Sequence, residues 1–156
     1  MTPAFWDTSA LVPLCVQQQP SAAVRALLQQ YEITVWWATS VEMRSAFERL
    51  LRMGQLTQSE HATAGMRLEK LRRGWRELQP MEALRAQAEA FLMSYALKAA
   101  DALQLAAAWT WCSGDVQRCT FISGDAQLLE AARQAWIPGS DGVAAPGSTR
   151  YRCAWG

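Results

Sequence analysis

The sequence predicts an α/β domain of the three-layer α/β/α kind, with a central, mostly parallel sheet of four or five strands covered by helices on both faces. Three observations carry that expectation. Short apolar runs rich in β-branched and aromatic residues alternate with segments at helical spacing, strand then helix several times over. At 156 residues and 51% hydrophobic content the chain can build one core. Asp7, Glu42, Asp101 and Asp125 each stand where a strand-like run or loop gives way to a helix, and parallel α/β architecture gathers such positions at one edge of the sheet.

Ala4 to Asp7 is a brief apolar run ending on an acid, and Thr8 and Ser9 supply capping hydroxyls for a helix starting near Ala10. Ser21 to Tyr31 places Val24, Leu27, Leu28 and Tyr31 at helical spacing, and Ile33 to Thr39 reads as a strand. Thr39 and Glu42 form a T-x-x-E capping box ahead of a helix stopped by Gly54, with Glu48 and Arg52 spaced to pair along it. A second box, Thr57 with Glu60, opens a helix to about Arg73. Trp75 to Gln79 alternates in period two, a short edge strand ended by Pro80. Helices follow over Met81 to Tyr95 and Ala99 to Trp111, then a strand over Arg118 to Ile122 and a helix over Gln127 to Ala135, with Trp136 and Ile137 as a further strand fragment. The domain is therefore expected over residues 1–137. Residues 138–156, loaded with Gly, Pro, Ser and Thr, are expected to be a flexible or partner-draped tail.

Lys and Arg number 15 against 14 Asp and Glu, so the net charge of +1 implies no general attraction to polyanions. The basic residues concentrate between Glu42 and Arg76, most of them read as solvated helix faces. Cys15, Cys112, Cys119 and Cys153 show no C-x-x-C pair, and His61 is the sole histidine, which excludes an ordinary zinc site. Cys15 and Cys112 read as small buried hydrophobes in a reducing compartment, and His61 as a surface residue. The first residues lack the positive start and long apolar core of a secretory signal, and no stretch is long enough to span a membrane. A cytoplasmic location is expected.

Each acid has an ordinary structural explanation, because carboxylates near helix starts answer the macrodipole and unpaired backbone N–H groups. Asp7 could close an Asx-turn onto Ser9, Glu42 could be the return arm of its capping box, and Asp125 could cap the helix AQLLEAA. Asp101 resists that account, since it is flanked by alanines and leucines suited to close packing. Acids brought together would repel one another, and a hard cation held by oxygen ligands offsets that repulsion.

In order and spacing, DTSAL at Asp7, TSVEMRSA around Glu42, LKAADALQLAAA around Asp101 and FISGDAQLLEAA around Asp125 resemble the PIN domain, and more narrowly the VapC-type toxins of toxin–antitoxin pairs. The resemblance spans about residues 4 to 137. It implies a PIN-like fold and a metal-dependent ribonuclease whose catalytic acids correspond to Asp7, Glu42, Asp101 and Asp125, with Ser9 and Ser123 as supporting hydroxyls. A cognate antitoxin and a homodimer are implied as well. Two departures stand out: Gln104 where members often carry His, and Gly124 ahead of Asp125.

On that reading, Mg²⁺ or Mn²⁺ is held by Asp7, Asp101 and Asp125, and Glu42 holds or orients water for hydrolysis of an RNA phosphodiester. Arg44 and Arg49, beyond Glu42 on the same helix, and Lys98, just before Asp101, are the candidate phosphate contacts. Trp6, Trp36, Trp37, Trp109 and Trp111 are assigned to core packing, leaving Trp75 as the candidate for RNA contact or a dimer seam. One rival is a non-catalytic RNA- or protein-binding module on the same fold. Another is a phosphatase with Asp7 as covalent nucleophile, which wants an acid where Ser9 stands.

Overall fold

The computed structural model describes residues 1–17, 21–112, 119–136 and 150–153. The elements run β1 (Thr2–Trp6), α1 (Thr8–Val16), α2 (Ala22–Gln30), β2 (Tyr31–Trp36), α3 (Thr39–Arg52), α4 (Gln58–Arg72), β3 (Arg76–Leu78), α5 (Glu82–Ser94), α6 (Ala99–Cys112), β4 (Thr120–Ser123), α7 (Ala126–Trp136) and β5 (Arg150–Cys153). The strands pair in the order β3-β2-β1-β4-β5, every neighbouring pair parallel. Because β2 and β3 lie to one side of β1 while β4 and β5 lie to the other, the strand order reverses at β1/β4. In open parallel sheets that reversal opens a crevice beyond the strands' carboxyl ends.

Period-two alternation sorts the strand residues between two cores. Ala4, Trp6, Val35 and Ile122 point to the face packed by Leu11, Leu14, Val24, Met43, Phe47 and Leu68 of α1 to α4. Phe5, Trp36 and Phe121 point to the opposite face, covered by Leu84 and Phe91 of α5, the alanine-rich α6 and Leu128 of α7. Two apolar layers on one sheet are the three-layer arrangement, and each fully buried large side chain contributes roughly 1.5–3 kcal/mol. The run Ala106, Ala107 and Ala108, all without exposed surface, lets α6 lie close against its neighbours.

Several expectations need correction. Helix α1 begins at Thr8 with Asp7 as its N-cap, two residues before Ala10. Trp136 ends α7 instead of starting a strand, and Ile137 lies outside the described residues. The segment expected to be a tail contributes an edge strand, since Arg150–Cys153 pairs with Thr120–Ser123; the rest of 138–156 lies outside the described residues. Cys112 is buried but not a lone thiol, because it is bonded to Cys119 across a Cα separation of 5.8 Å. Its helix end and the entry to β4 are brought side by side by the fold, which spacing alone does not reveal. Cys15 is buried and unpaired, and burial pushes its thiol up to about 12. Glu48 meets His61 of α4 at 2.7 Å, not Arg52. No helix among the described residues is long and apolar enough to cross a membrane.

Candidate functional site

Asp7 is the first residue beyond β1, and its backbone N–H donates to Ile122 O at 2.9 Å, which fastens it to the end of β4. The side chain is buried at 4% exposure. One of its oxygens, Oδ2, accepts from the Ser9 hydroxyl, from Ser9 N–H at 3.2 Å and from the Ser123 hydroxyl at 3.0 Å. Ser9 Oγ in turn accepts from Gly124 N–H at 2.8 Å, and Ser123 Oγ accepts from Asp125 N–H at 3.0 Å. The two serines thus lace the start of α1 to the turn after β4. Burial overrides these donors and raises Asp7 to about 6, with the Glu42 charge adding to the rise.

Asp125 caps α7, its Oδ1 accepting from Gln127 N–H at 2.8 Å and Leu128 N–H at 3.1 Å. Asp101 sits in the first turn of α6, where among the described residues no donor reaches its carboxylate. Burial raises its pKa, the charges of Asp125 and Glu42 raise it further, and Lys98 acts in the opposite sense. These couplings link the acids in sequence around the crevice: Asp7 with Glu42, Glu42 with Asp101, Asp101 with Asp125.

Glu42 is held differently. Its capping box does not form: Ala38 is the N-cap of α3, without a side-chain cap bond, and Thr39 is fully buried as the first helical residue. The Glu42 carboxylate instead accepts from the Thr8 hydroxyl at 2.6 Å, Gln104 Nε2 at 2.8 Å and Trp36 Nε1 at 3.3 Å. Both its oxygens are engaged by neutral donors, whereas Asp7 Oδ1, Asp125 Oδ2 and the whole of Asp101 have no hydrogen bond among the described residues. From the sequence Thr8 reads as a capping hydroxyl, Trp36 as core and Gln104 as a departure from the family pattern, none of them as a partner of Glu42. For Gln104 a signal existed: a lone amide one turn beyond Asp101 in an apolar helix must find buried partners.

The donor chemistry suits a hard divalent cation, being all oxygen and negatively charged, with Lys98 the opposing charge felt by Asp101 among the described residues. Among the described residues no three Asp, Glu, His or Cys side chains stand close enough to close around one ion. Mg²⁺ is ordinarily held by one or two carboxylates and several waters, so the wider spacing still fits it.

The cationic candidates separate. Lys98 lies close enough to Asp101 to lower its pKa. Arg44 turns to α4, where its guanidinium pairs with Glu69 at 2.6 Å. Arg49 is exposed in the last turn of α3, about 10 Å along the axis from Glu42. Among the tryptophans, Trp6 and Trp36 are buried as expected, but Trp37 is 50% exposed. Trp75 packs, partly buried, against the core on the α1 to α4 face.

This architecture recurs in a solved structure. The crystal structure of FitAcB from Neisseria gonorrhoeae contains a chain that superposes with a TM-score of 0.65 over 97% of this chain and 98% of that one, at 19% sequence identity. At that identity the likeness establishes the fold. No protein-family model matches the sequence, and no curated protein matches it either.

Proposed function

We propose that the chain is a Mg²⁺- or Mn²⁺-dependent endoribonuclease of the PIN type, the toxin of a VapBC-like pair. The observation that carries this reading is the unequal treatment of the acids. Asp7, Asp101 and Asp125 keep oxygens uncommitted, Asp7 and Asp101 each feel the Glu42 charge and Asp101 that of Asp125, while Glu42 is fixed by three neutral donors. Carboxylates kept only as helix caps would not need a fourth acid immobilised among them. The motif resemblance and the shared fold point the same way.

In this reading one or two of Asp7, Asp101 and Asp125 would hold the ion directly and the others through its waters, and the ion when bound would polarise a phosphoryl oxygen and make water a better nucleophile. Glu42 accepts a hydrogen bond from the attacking water and orients it. Lys98 contacts the substrate phosphate, and its charge offsets part of the repulsion around Asp101. Ser9 and Ser123 fix Asp7 Oδ2, leaving Oδ1 for the ion. The cognate antitoxin would inhibit most simply by placing an Arg in the acidic crevice, where it competes with the metal.

The second reading, a non-catalytic RNA- or protein-binding module, draws on the caps that Asp7 and Asp125 do provide. Incubation of the purified chain with RNA, with and without Mg²⁺ or Mn²⁺, separates the two. The nuclease reading expects metal-dependent cleavage that is lost in Asp7→Asn and Asp101→Asn. Cleavage that survives both substitutions, or none with either metal, favours the binding module.

A further inference from the structure

We propose that Gln104 is the positioning residue of this crevice, holding the Glu42 carboxylate and the Thr8 hydroxyl in one arrangement so that Glu42 meets the substrate in a fixed orientation. The inference rests on the nuclease reading above and names a residue that the reading does not require. Gln104 is 1% exposed on α6, one turn beyond Asp101, in a stretch otherwise of leucine and alanine. Its Nε2 donates to Thr8 Oγ1 at 2.6 Å and to Glu42 Oε2 at 2.8 Å, with Thr39 Oγ1 farther away at 3.4 Å. A primary amide carries two N–H groups, so the two short contacts use both.

The orientation of the amide follows from its surroundings. Reversed, it would set a carbonyl oxygen against the Glu42 carboxylate, acceptor to acceptor. As placed, Thr8 receives from Gln104 and passes its own proton toward Glu42, closing a three-membered network across α1, α3 and α6. The other end of the amide is telling. Gln104 Oε1 is buried and, among the described residues, has no hydrogen-bond partner. An unpaired acceptor in the interior weakens a fold, and a leucine would fill the space without that cost. The amide is therefore explained by what its nitrogen does for Glu42. A lysine or arginine could also hold Glu42 but would neutralise it; Gln104, Thr8 and Trp36 hold it and leave its charge available to water.

The test compares the full chain with Gln104→Leu and the isosteric Gln104→Glu in metal-dependent RNA cleavage. Gln104→Leu is expected to lower kcat by about 10- to 100-fold with KM within about twofold, the signature of a misplaced group. In Gln104→Glu the introduced carboxyl donates only when protonated, so activity relative to wild type should fall as pH rises, a change a packing role would not produce. An independent readout is the side-chain amide signal of Gln104 in a ¹⁵N–¹H spectrum, expected to shift in Glu42→Gln and to stay in place in Asp125→Asn. An active wild type with an equally active Gln104→Leu, or an amide signal indifferent to Glu42→Gln, overturns the positioning role. A wild type without cleavage overturns the nuclease reading itself, a result distinct from either.

Discussion

Asp7 ties stability to pH. Its folded pKa of about 6 lies above the ordinary 3.8, chiefly through burial, so folding favours its protonated form. Below about pH 4 the group is protonated folded or unfolded and has no effect. Between about 4 and 6 the unfolded chain ionises first, and stability falls as pH rises, by about 3 kcal/mol in all. Asp7→Asn, whose amide oxygen can still accept from Ser9 and Ser123, should flatten that decline and make the variant more stable than wild type at pH 7.5 in metal-free buffer. Urea melts at pH 4 and pH 7.5 check this; equal pH dependence in both proteins would show that Asp7 does not carry the effect. Among single residues, Asp7 and Asp125 were legible as acids at strand ends. The roles of Thr8, Trp36 and Gln104 were not, because each depends on a partner 34, 6 or 62 residues away in the chain.

The two T-x-x-E boxes make the same point for elements. Thr57 and Glu60 form theirs, with Thr57 N–H donating to Glu60 at 2.7 Å and Glu60 N–H to Thr57 at 3.1 Å on an exposed helix start. Thr39 and Glu42 carry the same local signal, but Thr39 is drawn into the core and Glu42 into the crevice by groups from three other elements. Local pattern decides where nothing distant competes. Thr57→Ala is accordingly expected to cost about 1 kcal/mol by chemical denaturation, with RNA cleavage unaffected. Between α6 and β4, the Cys112–Cys119 bond closes a short loop with a sequence separation of 7. Its reduction should lower stability by about 2 kcal/mol, read by melts with and without reductant; identical melts would mean the bond contributes nothing.

For the whole molecule, alternation along the strands and the order of elements made the parallel three-layer fold readable, and the short β3 was visible as an edge strand from WRELQ alone. β5 was not, because Arg150–Cys153 lies in a Gly- and Pro-rich stretch whose strand character comes from pairing with β4. The reversal of strand order at β1/β4 then explains why acids so far apart in sequence can be coupled: Asp7 and Asp125 follow the two strands that flank it, and α3 and α6 bring Glu42 and Asp101 to the same end. A gathering of negative charge that Lys98 offsets only in part should be relieved by a divalent ion, and binding the folded state should raise its stability. The most direct test is titration of Mn²⁺ into the metal-free full chain, followed by the loss of the free-ion paramagnetic resonance signal. The account predicts saturable binding that weakens at least about tenfold in Asp101→Asn and in Asp7→Asn, and is unchanged in Arg44→Ala. Binding that is absent, or equal in wild type and both acid variants, would contradict it.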